Sequence, residues 1–453
     1  MKNRLILLAL LLLTQLVSNS QSAYPKMDEE IKTFMKDGGW CWYESPRAII
    51  HNGKLIIGAI SGVSGDIRVG VFDLKTNKNL GVSILDKNFE IDDHNSPVFH
   101  VRPDGSLVAV WAKHGHEQYH YYSISEPNNY LKWGGEKQFF DHGFEIPEGN
   151  RWMGVTYMNL YSIKKKKLLY NFFRDGHNRN PTFITSTNEG DTWGNRTHFI
   201  EDEVPGRNRP YVRYMQKNKD LIGVSFTDAH PANYGNSIYY ADFDGTSFYN
   251  AKGKKIKDLS EGPLKTSEAD KIYTGSETKE KSKDSGSVPN AAWTCDLGKD
   301  KKERPFIGYT LYVKENDIRF RLANWNGKKW IDREIAYAGP GLYPGQSSYS
   351  GLMALDNDNP KNVFISSAVD PNTGKVKNKK HEIYFGKVKN KDETSKIKWE
   401  QITYDSKHKN IRPIIITGEG YKVLLWLAGP WHSFLNYQSD IIGYVLEKPK
   451  TIK

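Results

Sequence analysis

The chain has 453 residues, with 64 Lys and Arg against 53 Asp and Glu for a formal charge of +11, and it carries 12 Trp, 26 Tyr and 19 Phe. That aromatic content, with only two cysteines, excludes a disordered chain, a collagen-like repeat and a disulfide-built scaffold. The basic balance favours an acidic partner, and the absence of a basic helix, a zinc motif or an aromatic RNA-binding signature argues against nucleic acid.

At the N-terminus Lys2 and Arg4 precede an apolar run from Leu5 to Leu13, followed by small polar residues as far as Ala23. This reads as a signal peptide over 1–22, leaving 23–453 as a single domain that is secreted or periplasmic. The run is too short for the ~20 residues of a spanning helix, and no later segment is apolar enough to cross a membrane.

Further along, apolar residues recur with period two in short segments bounded by Gly, Asn, Asp or Pro. Examples are Lys54–Ile60, Ser106–Trp111, Lys167–Phe173, Leu221–Phe226, Asn362–Ser367 and Tyr421–Leu427. Turn pairs at Asn52-Gly53, Asp104-Gly105, Asp244-Gly245 and Asn326-Gly327 separate such strands. The pattern predicts an all-β, radially repeated fold of six to eight four-stranded blades. Ser186-Thr-Asn-Glu-Gly-Asp-Thr-Trp193 matches the Asp-box turn of propeller blades, with Asn188 in the Asp place. Looser echoes end at Phe248 and Trp330. Lys164–Lys167 reads as a hairpin turn, and 253–286, rich in Lys, Ser, Glu and Asp, as a polar loop insertion.

Candidate chemistry begins at Asp92-Asp-His-Asn-Ser-Pro97 before one strand and continues at His114 after it. Imidazole exchanges protons near neutral pH, although read alone His94 and His114 are as readily satisfied loop histidines. His100, His116 and His120 read as structural. Tyr157 and Arg174, on alternating strands, can both project into a central funnel. A phenol donates a proton as it stands but accepts one only if a nearby cation lowers its pKa, and a guanidinium fork suits a carboxylate. The alternative is a blade-core aromatic and a surface arginine. The pair Asp92-Asp93 is a weak cation signal without a third ligand.

Several strings together resemble the BNR-repeat seven-bladed propeller lyases, especially ulvan lyases of polysaccharide lyase family twenty-five. They are Trp40-Cys-Trp-Tyr-Glu-Ser-Pro-Arg47, Asp92-Asp-His-Asn-Ser-Pro97, Ala112-Lys-His-Gly115, Thr156-Tyr-Met-Asn-Leu-Tyr161, Phe172-Phe-Arg174, Arg209-Pro-Tyr211, Phe226-Thr-Asp-Ala-His-Pro231 and Tyr349-Ser-Gly351. The likeness runs from Trp40 to Ile442. It implies a single seven-bladed β-propeller that cleaves ulvan, a sulfated polymer of rhamnose 3-sulfate and glucuronic or iduronic acid, by β-elimination. It further implies His94 as general base or acid, Tyr157 as its partner, Arg174 as the carboxylate neutraliser and His114 as a supporting residue. Arg207, Arg209, Arg213 and Arg321 are further cations for sulfate or uronate, and Arg209 equally reads as a blade anchor.

Elimination requires no redox cofactor and no covalent nucleophile, and the chain is expected to act as a monomer. Related propeller lyases carry a structural cation such as calcium or zinc. His230 and Cys295 supply two ligands where a closed zinc site takes four, so the metal residues stay unassigned. A sialidase-like glycoside hydrolase and a non-catalytic propeller binding sulfated glycans remain the rival readings.

Overall fold

The computed structural model describes Tyr24 and residues 30–140, 153–177, 179–206, 210–281, 286–342, 347–377, 380–389 and 397–449. The expected signal peptide over 1–22 and Arg207 and Arg209 lie outside the described residues. Among the described residues the regular structure is β-strand, with four short 3-10 turns.

Seven sheets follow one another along the chain, each built around four antiparallel strands, in sequence order in the first six. The first strands of blades 1 to 7 are Ala48–His51, Val98–Val101, Thr156–Ile163, Val212–Asn218, Ala291–Lys299, Met353–Leu355 and Lys409–Gly418. Each touches the first strand of the next blade, and blade 7 touches blade 1, so these strands line the axis of a closed seven-bladed propeller. The outermost strand of blade 7 comes from the other end of the chain. Lys32–Met35 pairs antiparallel with Asp440–Glu447, with Thr33 opposite Ile442. This closes the ring and removes two exposed sheet edges.

Strand position within a blade sets the sequence pattern. Middle strands such as Leu107–Trp111 and Asn362–Ser367 are buried at every residue, because neighbouring blades cover both faces. They therefore read as continuous apolar runs. Outer strands meet water, and Lys78–Asp86 has no fully buried residue. Between blades 3 and 4 the packing is aromatic. Phe172 lies 4.8 Å from Tyr214 and 5.0 Å from Phe199, and Phe199 5.0 Å from Phe243, ring centre to ring centre. Each such ring contributes about 1.5–3 kcal/mol on burial.

The Asp-box turn joins Pro181–Ser186 to Gly194–His198. Ser186 Oγ accepts the Gly190 amide at 2.8 Å, and Asn188 Oδ1 accepts the Thr192 amide at 2.9 Å. Asn188 thus replaces aspartate as an acceptor without losing the turn. Trp193 is buried, with its ring 6.5 Å from Tyr122 of the preceding blade. Lys164–Lys166 forms the expected turn, closed by Lys167 in the left-handed region.

Within the expected polar loop 253–286, the described residues 253–281 include paired strands. Its residues Lys255–Asp258 and Asp270–Tyr273 pair with strands of blade 4, and Leu264–Lys265 runs parallel to Ile200–Glu201 of the preceding connection. The apolar anchors are sparse, Leu264 fully buried with Ile256 and Leu259 partly so. The surrounding lysines and acids hid them in the sequence.

Candidate active site

One face of the propeller is formed by the starts of the first strands and the ends of the second strands. A loop from Trp40 to Arg47 plugs the axis beneath it. Trp42 Nε1 donates to Ser350 O at 2.9 Å, Ser45 N donates to Asn159 Oδ1 at 2.8 Å, and Ser96 Oγ donates to Glu44 Oε2 at 2.7 Å. Arg213 also donates to Glu44 O, and Glu44 forms a buried ion pair with Arg47 at 2.8 Å. The plug therefore ties blades 2, 3, 4 and 6 together under the site.

His94 sits in a 3-10 turn, Asp93–Asn95, whose N-cap is Asp92. Asp92 holds two imidazoles. His94 Nδ1 lies 2.6 Å from its Oδ1 and His114 Nδ1 lies 2.9 Å from its Oδ2. The rings stack with centroids 3.6 Å apart and planes 12° from parallel. Asp93 approaches His94 Nδ1 at 3.1 Å and is neutralised from below by Arg412, Nη1 to Oδ2 2.8 Å. Arg412 is fully buried and lies 3.5 Å over the Trp42 ring. Phe434 caps both imidazoles edge-on, at 5.2 and 5.7 Å.

The structure brings together the two histidines that the sequence singled out, and what orders them was not visible there. Asp92 brackets the imidazoles, while Asp93 faces Arg412. Arg412 had no local signal, since an arginine at the start of a strand is ordinarily exposed.

Two imidazoles on one carboxylate divide the charge. Burial works against ionising Asp92, but His114 and His94 outweigh it and hold its carboxyl well below the usual range. Burial also disfavours the His94 cation. Cys41 and Asp92, with hydrogen bonds to Asp92 and Asp93, nevertheless hold the His94 pKa well above 6.5. The Cys41 thiol is itself pushed up by burial, so the carboxylates supply the standing negative charge. His114 goes the other way, lowered to about 4 by burial and by the charge on His94, with Arg174 adding to the effect. The two rings are thus driven apart, His94 toward the cation and His114 toward the neutral imidazole.

Tyr157 and Arg174 stand beside this pair. Tyr157 opens the first strand of blade 3 with φ of +64°. That left-handed conformation is strained for a tyrosine, by an order of 1–3 kcal/mol. It accompanies a register shift between Thr156 and Asn159, a bulge that re-aims the side chain. Asn159 Nδ2 donates to Tyr157 O at 2.7 Å and so holds the bulge. The Tyr157 ring centre is 5.5 Å from that of His94 and 6.1 Å from that of His114. Its pKa is raised well above 10 by burial and by Tyr211, against the opposing charge of Arg174, so it remains a phenol.

Arg174 ends the second strand of blade 3, opposite Thr156, and its guanidinium lies 4.8 Å over the Tyr157 ring. It is 7 % exposed, and its Nη1 has no hydrogen-bond partner among the described residues. A buried, unpaired guanidinium is costly unless an anion completes it.

Beyond Tyr157 an aromatic wall continues. Tyr43 stacks on Trp293 at 4.4 Å, Tyr211 lies 4.2 Å from Tyr43, and Tyr349 lies 4.8 Å from Trp293. His230 packs on Trp293 at 4.7 Å. Cys295 contacts Trp293 O and Thr310, and burial pushes its thiol up to about 12. Groups with metal-ligand geometry among the described residues are Cys41, Asp93 and His94, and Asp92, His94 and His114. Both share His94, and in this structure Asp93 also pairs with Arg412 and Asp92 with the two imidazoles. Arg213 bonds the plug and Arg321 pairs with Asp332 at 2.6 Å, so neither is a spare cation.

A repeated-blade propeller with a charged, aromatic-walled site at its axis defines the class. The model of a BNR repeat-containing family matches residues 51–338, and the chain belongs to that family. No curated protein matches it by sequence. Among solved structures it is similar to a PL25 ulvan lyase bound to -[GlcA(1-4)Rha3S]-, with TM-score 0.63 and 13 % identity over 93 % of this chain and 98 % of that one. A second structure of a PL25 ulvan lyase gives TM-score 0.62 at the same identity and coverage. The polysaccharide lyase Uly1 gives TM-score 0.52 at 11 % identity, covering 94 % of this chain and 95 % of the other. At these identities the likeness establishes a shared fold. Among the described residues no helix is long and apolar enough to cross a membrane.

Proposed function

We propose that the chain is an exported polysaccharide lyase that cleaves ulvan by β-elimination at uronate O4 linkages next to rhamnose 3-sulfate. The observation that carries this reading is the buried guanidinium of Arg174, incomplete in hydrogen bonding and set beside a proton acceptor and a proton donor. The ulvan-lyase neighbours in fold support it.

In this reading Arg174 pairs with the uronate carboxylate. It thereby acidifies the C5 proton and stabilises the enolate that forms as that proton leaves. The acceptor is the imidazole pair. His114 is its neutral member, and a carboxylate on Arg174 cancels one of the charges that depress its basicity. His94 carries the cation that Asp92 and Asp93 stabilise. Tyr157, a phenol at all physiological pH, donates to O4 as the C4–O4 bond breaks. The electrons of the C5–H bond become the C4–C5 double bond, and the leaving sugar departs protonated. None of these steps calls for a redox group or a covalent intermediate.

The test is to incubate the purified chain with ulvan and follow the near-ultraviolet absorbance of the conjugated, unsaturated uronate. A rise with ulvan, and none with carboxyl-reduced ulvan, is expected. No rise from folded protein with ulvan would refute the assignment.

A further inference from the structure

The outermost strand of blade 1, Lys78–Asp86, is a sheet edge with an apolar outer surface. It pairs on one side with Ile67–Asp73 and on the other with no strand among the described residues. Free edges ordinarily carry charge, as blade 3 does with Gly-Asn-Arg-Thr-His over 194–198 and blade 5 with Asp332, Arg333 and Glu334. Blade 1 carries its charge only at the two ends of the strand. Between them Leu80, Val82 and Ile84 are 41, 36 and 45 % exposed. The intervening residues turn inward: Ser83 Oγ donates to Leu131 O of blade 2 at 2.5 Å, and Leu85 packs against the core.

The strand is complementary to itself. Set antiparallel about a two-fold axis at Val82, it places Lys78 opposite Asp86 at each end, Leu80 opposite Ile84, and Val82 opposite its own copy. Its two bulges fall toward the ends and leave Gly81–Ile84 in unbroken register with its neighbour, so the central residues can carry the pairing. The end charges are available for it. Lys78 is exposed and forms no ion pair among the described residues. Burial and the neighbouring Glu136 push the Asp86 carboxyl up to about 6 against the opposing charge of Lys113, so a further cation beside it is favourable.

We propose that this edge docks a second copy of the chain, in place of the monomer expected from the sequence, by antiparallel pairing of the two Lys78–Asp86 strands. The contact continues the sheet of blade 1 into that of its partner, covers six aliphatic side chains and closes an ion pair at each end. A nine-residue strand spans about 30 Å, and its pairing buries less than the roughly 1,200 Å² of a standard interface. The dimer is therefore weak, with a Kd on the order of 10 µM. The inference is independent of the reaction proposed above.

The experiment is sedimentation equilibrium of the full chain across a concentration range reaching about 200 µM, well above the Kd expected. Wild type is expected to show a reversible monomer–dimer equilibrium. Val82→Glu, which sets two carboxylates against each other on the axis, is expected to weaken it more than tenfold. Lys78→Glu and Asp86→Lys each place like charges at both ends, and each alone is expected to remain monomeric. Mixed one to one they recover opposite charges at both ends, and a heterodimer close to wild type in affinity is the predicted result. Lys78→Glu changes an exposed residue and decides the matter by itself should Asp86→Lys fold poorly. A wild type that stays monomeric throughout, a dimer indifferent to Val82→Glu and Lys78→Glu, or folded charge variants that fail to associate when mixed would each overturn the proposal.

Discussion

Arg174 combines burial, a missing hydrogen-bond partner and a position over the Tyr157 ring, and these identify a group built to receive an anion. Arg174→Ala is expected to slow cleavage by about 2–4 kcal/mol in barrier, the scale for one preorganised electrostatic donor. Comparing kcat on ulvan for the two proteins checks this, and a loss confined to KM would contradict it. Protonation makes a second prediction. His114 accepts a proton only when neutral, and its pKa of about 4 lies below 6.5, so kcat/KM should hold through neutral pH and fall in acid along a limb near 4. A limb near 6.5 would show that an unperturbed histidine is the base. The sequence pointed to His94, His114, Tyr157 and Arg174 through short strings whose order resembled a known family. It could not show which imidazole keeps the proton, because that depends on Asp92 lying between the two rings.

Bulged strand starts re-aim the side chains at the axis. Tyr157 and Arg412 both have positive φ, at +64° and +57°, and each lies within a register shift of a first strand. Period-two patterning assigns such residues to one face or the other, and a bulge breaks the alternation just where function needs it. Hence strands and turns were legible, and the role of Arg412 was not. Arg412→Met leaves buried Asp93 with only His94 as a counter-charge and is expected to cost about 3–5 kcal/mol in urea unfolding. Adding Asp93→Leu should recover most of that loss; a double variant as unstable as the single would disprove the pairing. Buried histidines give these elements an acid sensitivity. His120 is lowered to about 3 by burial and by Arg196, and His381 to about 3 by burial and by Lys409. The native state therefore binds fewer protons than the unfolded chain, whose histidines titrate near 6.5. Stability is full above 6.5 and declines as pH falls toward 3, so the urea midpoint at pH 5 should lie below that at pH 7.

The whole molecule is a ring closed by Lys32–Met35 on the last blade, with an axial plug that ties four blades beneath one chemically equipped face. Repeated strands and the Asp-box turn made the propeller legible, but ring closure was not, since nothing local in Lys32–Met35 marks it as the partner of Asp440–Glu447. The central claim is that this face breaks a C4–O4 bond by elimination. Mass spectrometry of ulvan fragments made in heavy-oxygen water tests it most directly, because elimination leaves the cleaved ends without a solvent oxygen and one product lighter by a water. Unsaturated fragments free of heavy oxygen, formed far more slowly by Tyr157→Phe and Arg174→Ala, are the predicted result. Saturated fragments carrying one heavy oxygen per cut would show hydrolysis and contradict the account.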